Sequence, residues 1–159
     1  MAHYRAASAE EYRTLLEMSF WANANRNCMD HCVLEWCKLF ADPKDKHCWR
    51  NVVSNPEDFN DSLLDHLGVT ASEFEEEIRI MRVYRDKFVA HLDSERTMNI
   101  PALKVAYKSV AFYHVRVVSE AAAADLQGLQ LDFERGYQEE VAEASRVYGA
   151  AIRERKSFV

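Results

Sequence analysis

Arg79-Ile80-Met81-Arg82-Val83-Tyr84-Arg85-Asp86-Lys87-Phe88-Val89-Ala90-His91-Leu92-Asp93 is the stretch whose reading decides the fold. With the residues just before it, it places apolar side chains at Phe74, Ile78, Met81, Phe88 and Leu92. Gaps of three and four are the period of a helix that buries one stripe against other helices. The row has a hole at Arg85, whose guanidinium must point into or beside the core. A charge there is tolerated when it is paired or hydrogen-bonded. His91 lies on the adjoining stripe, seven residues after Tyr84 and three after Phe88. A permanent cation and a titratable imidazole therefore stand about two turns apart among apolar residues.

That pair suits phosphodiester chemistry. Arginine offers a planar donor fork that matches phosphate oxygens. Histidine takes or gives a proton near neutral pH. The same residues have a structural reading: Arg85 paired with a carboxylate of a facing helix, and His91 satisfied within the core. Perturbed groups in a packed helix serve either purpose, and the residues alone leave both open.

Working outward, the helix begins with a capping box, Thr70 with Glu73, and Val69 is placed to staple against Phe74. It runs to about Asp93, which puts His91 near its C-terminal end, where the helix dipole favours a protonated imidazole and a general-acid role. Upstream, Asn55-Pro56 starts a short helix whose apolar face is Phe59, Leu63 and Leu67, and Gly68 stops it. Trp49, Val52 and Val53 cover one end of the assembly. A long first helix is expected over residues 8–42, capped by Ser8 and Glu11, with Leu15, Met18, Ala22, Met29, Cys32, Trp36 and Leu39 inward. Asn25 interrupts that row, and Asp42-Pro43 ends the helix. Downstream, Pro101 opens a helix with Leu103, Ala106, Val110, Tyr113 and Val117 inward; His114 on its flank reads as a surface residue. Gly128 breaks the chain before a last helix from about Leu131 to Arg155. Its inward row is Phe133, Tyr137, Val141, Ala144, Tyr148 and Ala151, free to dock on the bundle or on a second subunit. The expectation is an all-α, antiparallel bundle of about five helices, one domain over residues 1–159.

Composition bounds the rest. Apolar residues make up 48% and charged residues 29% of 159, a globular balance. No run of eighteen apolar residues is present, and the start Met1-Ala2-His3-Tyr4-Arg5 leads into a polar stretch, so a cytoplasmic protein is expected. The net charge of −6 argues against broad, non-specific coating of nucleic acid but leaves room for a small basic site. Arg79, Arg82, Arg85 and Lys87 form the densest basic group on the central helix. Cys28, Cys32, Cys37 and Cys48, with His31 and His47 nearby, lack the paired two-residue spacing of structural zinc knuckles. They read as core cysteines of a reducing compartment, with a metal site as the weaker alternative.

Arg85-Asp86-Lys87-Phe88-Val89-Ala90-His91 resembles the signature of the HEPN superfamily, in which Arg and a following polar residue precede a His by four to six positions. Five residues lie between Arg85 and His91. The wider pattern is similar to the abortive-infection-associated branch: Glu35-Trp36 with Leu39-Phe40, a later Trp49, then Ile100-Pro101 opening a helix. The likeness spans roughly residues 12–120. It implies a HEPN-like helical domain and a metal-independent endoribonuclease of a toxin–antitoxin or phage-defence type. On that basis Arg85 and His91 are the catalytic pair and Asp86 their polar support, while Arg82, Lys87 and Tyr84 contact RNA. It also implies a homodimer that joins two Arg/His sets, an antitoxin or nucleotidyltransferase partner, and no cofactor. Some members of such families have lost activity and serve as dimerisation or nucleotide- or RNA-binding modules, which is the alternative reading.

Overall fold

The computed structural model describes residues 19–89, 101–122, 125–129 and 131–157. Among these the chain is all-helical, with six α-helices: α1 (Ser19–Phe40), α2 (Trp49–Val52), α3 (Pro56–Leu67), α4 (Ala71–Tyr84), α5 (Lys104–Glu120) and α6 (Phe133–Ser157). A π-helical segment, Arg85–Val89, continues directly from α4. No helix among the described residues is long and apolar enough to cross a membrane. The chain divides into two compact units, residues 29–131 and residues 1–28 with 132–159.

The first unit holds the helical bundle. Local signals start and stop its helices where the sequence places them. Asn55 accepts a hydrogen bond from the Asp58 backbone N–H, and Pro56 occupies the first turn of α3. Gly68 closes α3 in the left-handed region at φ 68°, where a side chain would be strained. Thr70 and Glu73 form the reciprocal box of α4, at 2.7 Å and 3.2 Å. Phe59 and Leu63 are fully buried, and Phe74, Ile78 and Met81 face the core as their spacing requires.

Aromatic side chains fill the centre. Trp36 stacks on Phe40 at 5.2 Å, and Phe40 meets Phe74 and Tyr113 edge-on. Phe59 carries the cluster on to Trp49 and Phe112. Such pairs contribute about 0.5–1.5 kcal/mol each beyond their buried area. The Trp36 indole N–H donates to the Ser109 hydroxyl at 2.9 Å, and that hydroxyl donates to the Ala106 carbonyl at 2.9 Å, so the buried polar atoms are satisfied. Helices α3 and α5 are antiparallel: the Ser54 N–H donates to Glu120, Asp58 pairs with Arg116, and His66 lies against Phe112. Helices α1 and α5 run in the same sense, with Trp36 at Ser109 and Phe40 at Tyr113.

Two rows depart from expectation. On α1 the buried residues are Val33, Trp36, Cys37 and Phe40, whereas Cys32 is exposed and Leu39 only partly buried. The face is rotated by about one residue, because the Trp36–Phe40 pair turns toward α4 and α5. The N-terminal part of the expected helix, with Ser8, Glu11, Leu15 and Met18, lies outside the described residues. On α2, Trp49 is buried as expected, Val53 beside it likewise, and Val52 is exposed.

The second unit, by itself, contains α6 and the first turns of α1. Trp21 packs on Tyr148 at 5.0 Å. Tyr137, Val141 and Ala144, expected to point inward, are exposed. Length accounts for this: α6 extends about 37 Å, while the ten described α1 residues of this unit reach about 15 Å. Among the described residues, most of the α6 row therefore faces solvent.

Candidate functional site

The site is built where the end of α1 meets the end of α4. Helix α1 stops at Phe40 because Asp42-Pro43 cannot continue it, which leaves its last carbonyls in need of donors. Two arginines of the central stretch answer that need. The Arg82 guanidinium donates to the Ala41 carbonyl. One residue further along, Asp42 accepts from Arg85 Nη1 at 2.6 Å. Cations at a helix C-terminus also complement its dipole.

The apolar row does not continue straight through Arg85. After Met81 the buried position is Tyr84, 2% exposed, with its hydroxyl donating to Asp30 on α1 at 2.6 Å. The backbone then widens into the π turn Arg85–Val89, which inserts an extra residue and swings the following side chains around the axis. Arg85 consequently lies beside the core, its side chain 20% exposed. Asp86 accepts from Arg85 Nε at 2.8 Å. Burial opposes the Arg85 charge, but the hydrogen bonds to Asp42 and Asp86 outweigh it and raise its affinity for the proton. Arg85 is thus a fixed cation, held on two edges by carboxylates, with Nη2 bonded to no described residue.

The residues expected from sequence separate into distinct positions. Arg85 and Asp86 are in direct contact. Arg82 caps α1 through Ala41, and Tyr84 is buried on Asp30, so its ring offers no open face to a nucleotide. Lys87 is half-buried on the π turn. His91, the Phe88 side chain and Leu92 lie outside the described residues. Asp42 and Asp30 were not singled out from sequence. Asp42 reads there as a helix stop before proline, and its role emerges from a contact 43 residues away.

Cys37 sits near this network without joining it. Burial pushes its thiol up to about 11, so it stays protonated at neutral pH and is a poor nucleophile. Cys48 is also buried, while Cys28 and Cys32 are exposed; all four are free thiols. Among the described residues, no three His, Cys, Asp or Glu side chains gather to hold a metal ion. The arrangement can orient an arginine and anchor one helix on another. No family model matches the chain, and no curated protein or solved structure is found to be similar to it.

Proposed function

We propose that this protein is a metal-independent endoribonuclease of HEPN type, in which Arg85 and His91 act on the RNA phosphodiester. The observation that supports it is the mounting of Arg85: Asp42 and Asp86 hold Nη1 and Nε, and Nη2 is left to meet a phosphoryl oxygen. A guanidinium held in place in advance stabilises developing charge without reorganising during the reaction. Asp86 orients Arg85. The His91 imidazole moves a proton, either from the attacking 2′-hydroxyl or to the leaving 5′-oxygen, and the expected product is a 2′,3′-cyclic phosphate. Lys87 and Arg82 are the cations nearest Arg85 in sequence for flanking phosphates, Arg82 after release from Ala41. On this reading the protein works as a cytoplasmic homodimer, restrained by an antitoxin or a nucleotidyltransferase partner.

A second reading is favoured by the same contacts. Two carboxylates neutralise Arg85, and the Asp42 bond ties two helices together. That is what an anchor in a catalytically inactive binding or dimerisation module requires. The two readings separate in one experiment. Purified protein is incubated with mixed RNA with and without EDTA, alongside Arg85→Lys and His91→Ala, and folding is followed by circular dichroism. The nuclease reading expects EDTA-resistant cleavage that both variants lose with their helicity intact. No cleavage by the parent at any concentration, with a lowered Tm in Arg85→Lys, establishes the anchor instead.

A further inference from the structure

The bundle unit also contains a cleft of about 430 Å³ that the nuclease reading does not use. Its volume lies in the range of small-molecule sites, which combine an apolar lining with a few polar groups. Phe40, Trp49, Phe74 and Ile78 contribute its apolar lining, and each is buried in the fold. Arg50 and Arg82 supply its positive charge. Arg82 is already committed to the Ala41 carbonyl. Arg50 is not committed in this way: it is exposed, and its guanidinium lies 4.4 Å from the centre of the Trp49 ring rather than on a carboxylate.

The wall that carries Arg50 is well fastened. The Asn51 side chain donates to the Pro43 carbonyl at 3.1 Å and to the Asp45 carbonyl at 2.8 Å, which closes the loop before α2. A neighbouring cavity of about 350 Å³ shares Arg50 and Asn60 with the cleft. Glu57 and Asp61 line that second cavity and turn an anion away from it. Glu75, on the lining of the main cleft, likewise disfavours a second negative charge there.

We propose that this cleft binds a small aromatic monoanion, its ring over the Phe74 and Ile78 wall and its carboxylate on Arg50. Ring-lined walls favour a flat aromatic body through offset and edge-on contacts. A guanidinium already resting on a tryptophan face loses little freedom when it takes a carboxylate in two parallel hydrogen bonds. The site is independent of the nuclease reading, since it uses neither Arg85 nor His91.

The test is calorimetric titration of the full chain with 1-naphthoate, and with neutral 1-naphthamide as its isostere. Arg50→Gln removes the charge, and Ala71→Trp, at an exposed cleft-lining position in the first turn of α4, fills the cleft without touching the core. Saturable binding of the acid is expected, weakened about tenfold or more in the amide and in Arg50→Gln, as loss of a charge-assisted pair requires. Ala71→Trp should abolish it, with the helical spectrum of both variants unchanged. Equal affinity for acid and amide, survival of binding in Ala71→Trp, or no saturation up to millimolar ligand would each overturn the proposal.

Discussion

Helices α3 and α6 carry apolar rows of the same period and meet different fates. Phe59 and Leu63 on α3 are fully buried, whereas Tyr137 and Val141 on α6 remain 43% and 40% exposed. Periodicity states which face of a helix is apolar; it does not state what will cover that face. In α3 the cover is supplied by Trp49, Phe112 and Tyr113, brought in from before and after it in the chain. In α6 the described cover is one ring, Trp21, placed against Tyr148.

The contrast can be broken by substitution. Phe59→Ala should have the largest effect, a loss of about 3–5 kcal/mol in urea unfolding, because a large fully buried ring leaves a cavity. A loss below 1 kcal/mol would mean that the aromatic centre is not the stabilising core. Trp36→Phe should cost about 1–3 kcal/mol, since it deletes the donor to Ser109 inside that core. The double variant Trp36→Phe/Ser109→Ala should then cost less than the sum of the two single changes.

Smaller effects belong to the helix start. Thr70→Ala should cost about 1 kcal/mol through the lost cap. The Thr70 backbone N–H, and then its hydroxyl, hold the Glu73 carboxyl below its ordinary range. A carboxyl depressed in the folded state contributes stability that is complete above its unfolded value of about 4.3 and disappears as the pH falls through the lower folded value. A thermal melt series from pH 6 to pH 2.5 should show that acid limb, and Glu73→Gln should flatten it. Smallest of all, Tyr137→Ser on α6 should stay within about 0.5 kcal/mol, as exposed substitutions do. A cost above 2 kcal/mol there would show that the α6 row is covered after all, and the contrast with α3 would collapse.

The two arginines of the candidate site repeat the lesson at closer range. From the row Phe74, Ile78 and Met81 it is legible that a cation at Arg85 interrupts an apolar face and needs a partner. Which partner is not legible. Asp42 looks like a helix stop, and the π turn that moves Arg85 aside leaves no periodic mark. The tyrosine before it takes the core position, which a strict three-four count does not assign. Arg82 illustrates the same limit: its neighbours mark it as part of a basic group, and its bond to Ala41 makes it a cap for another helix.

By itself the sequence determined the starts and stops: Asn55-Pro56, Gly68, the Thr70–Glu73 box and the end of α1 at Asp42-Pro43. These rest on interactions within a few residues, so local chemistry suffices to set them. Tertiary structure alone decided the partnerships: Trp36 with Ser109 across 73 positions, Tyr84 with Asp30 across 54, and Arg85 with Asp42 across 43. Each joins groups whose separation along the chain carries no signal of their nearness in space. A donor and acceptor of common types find one another only after the apolar faces have packed.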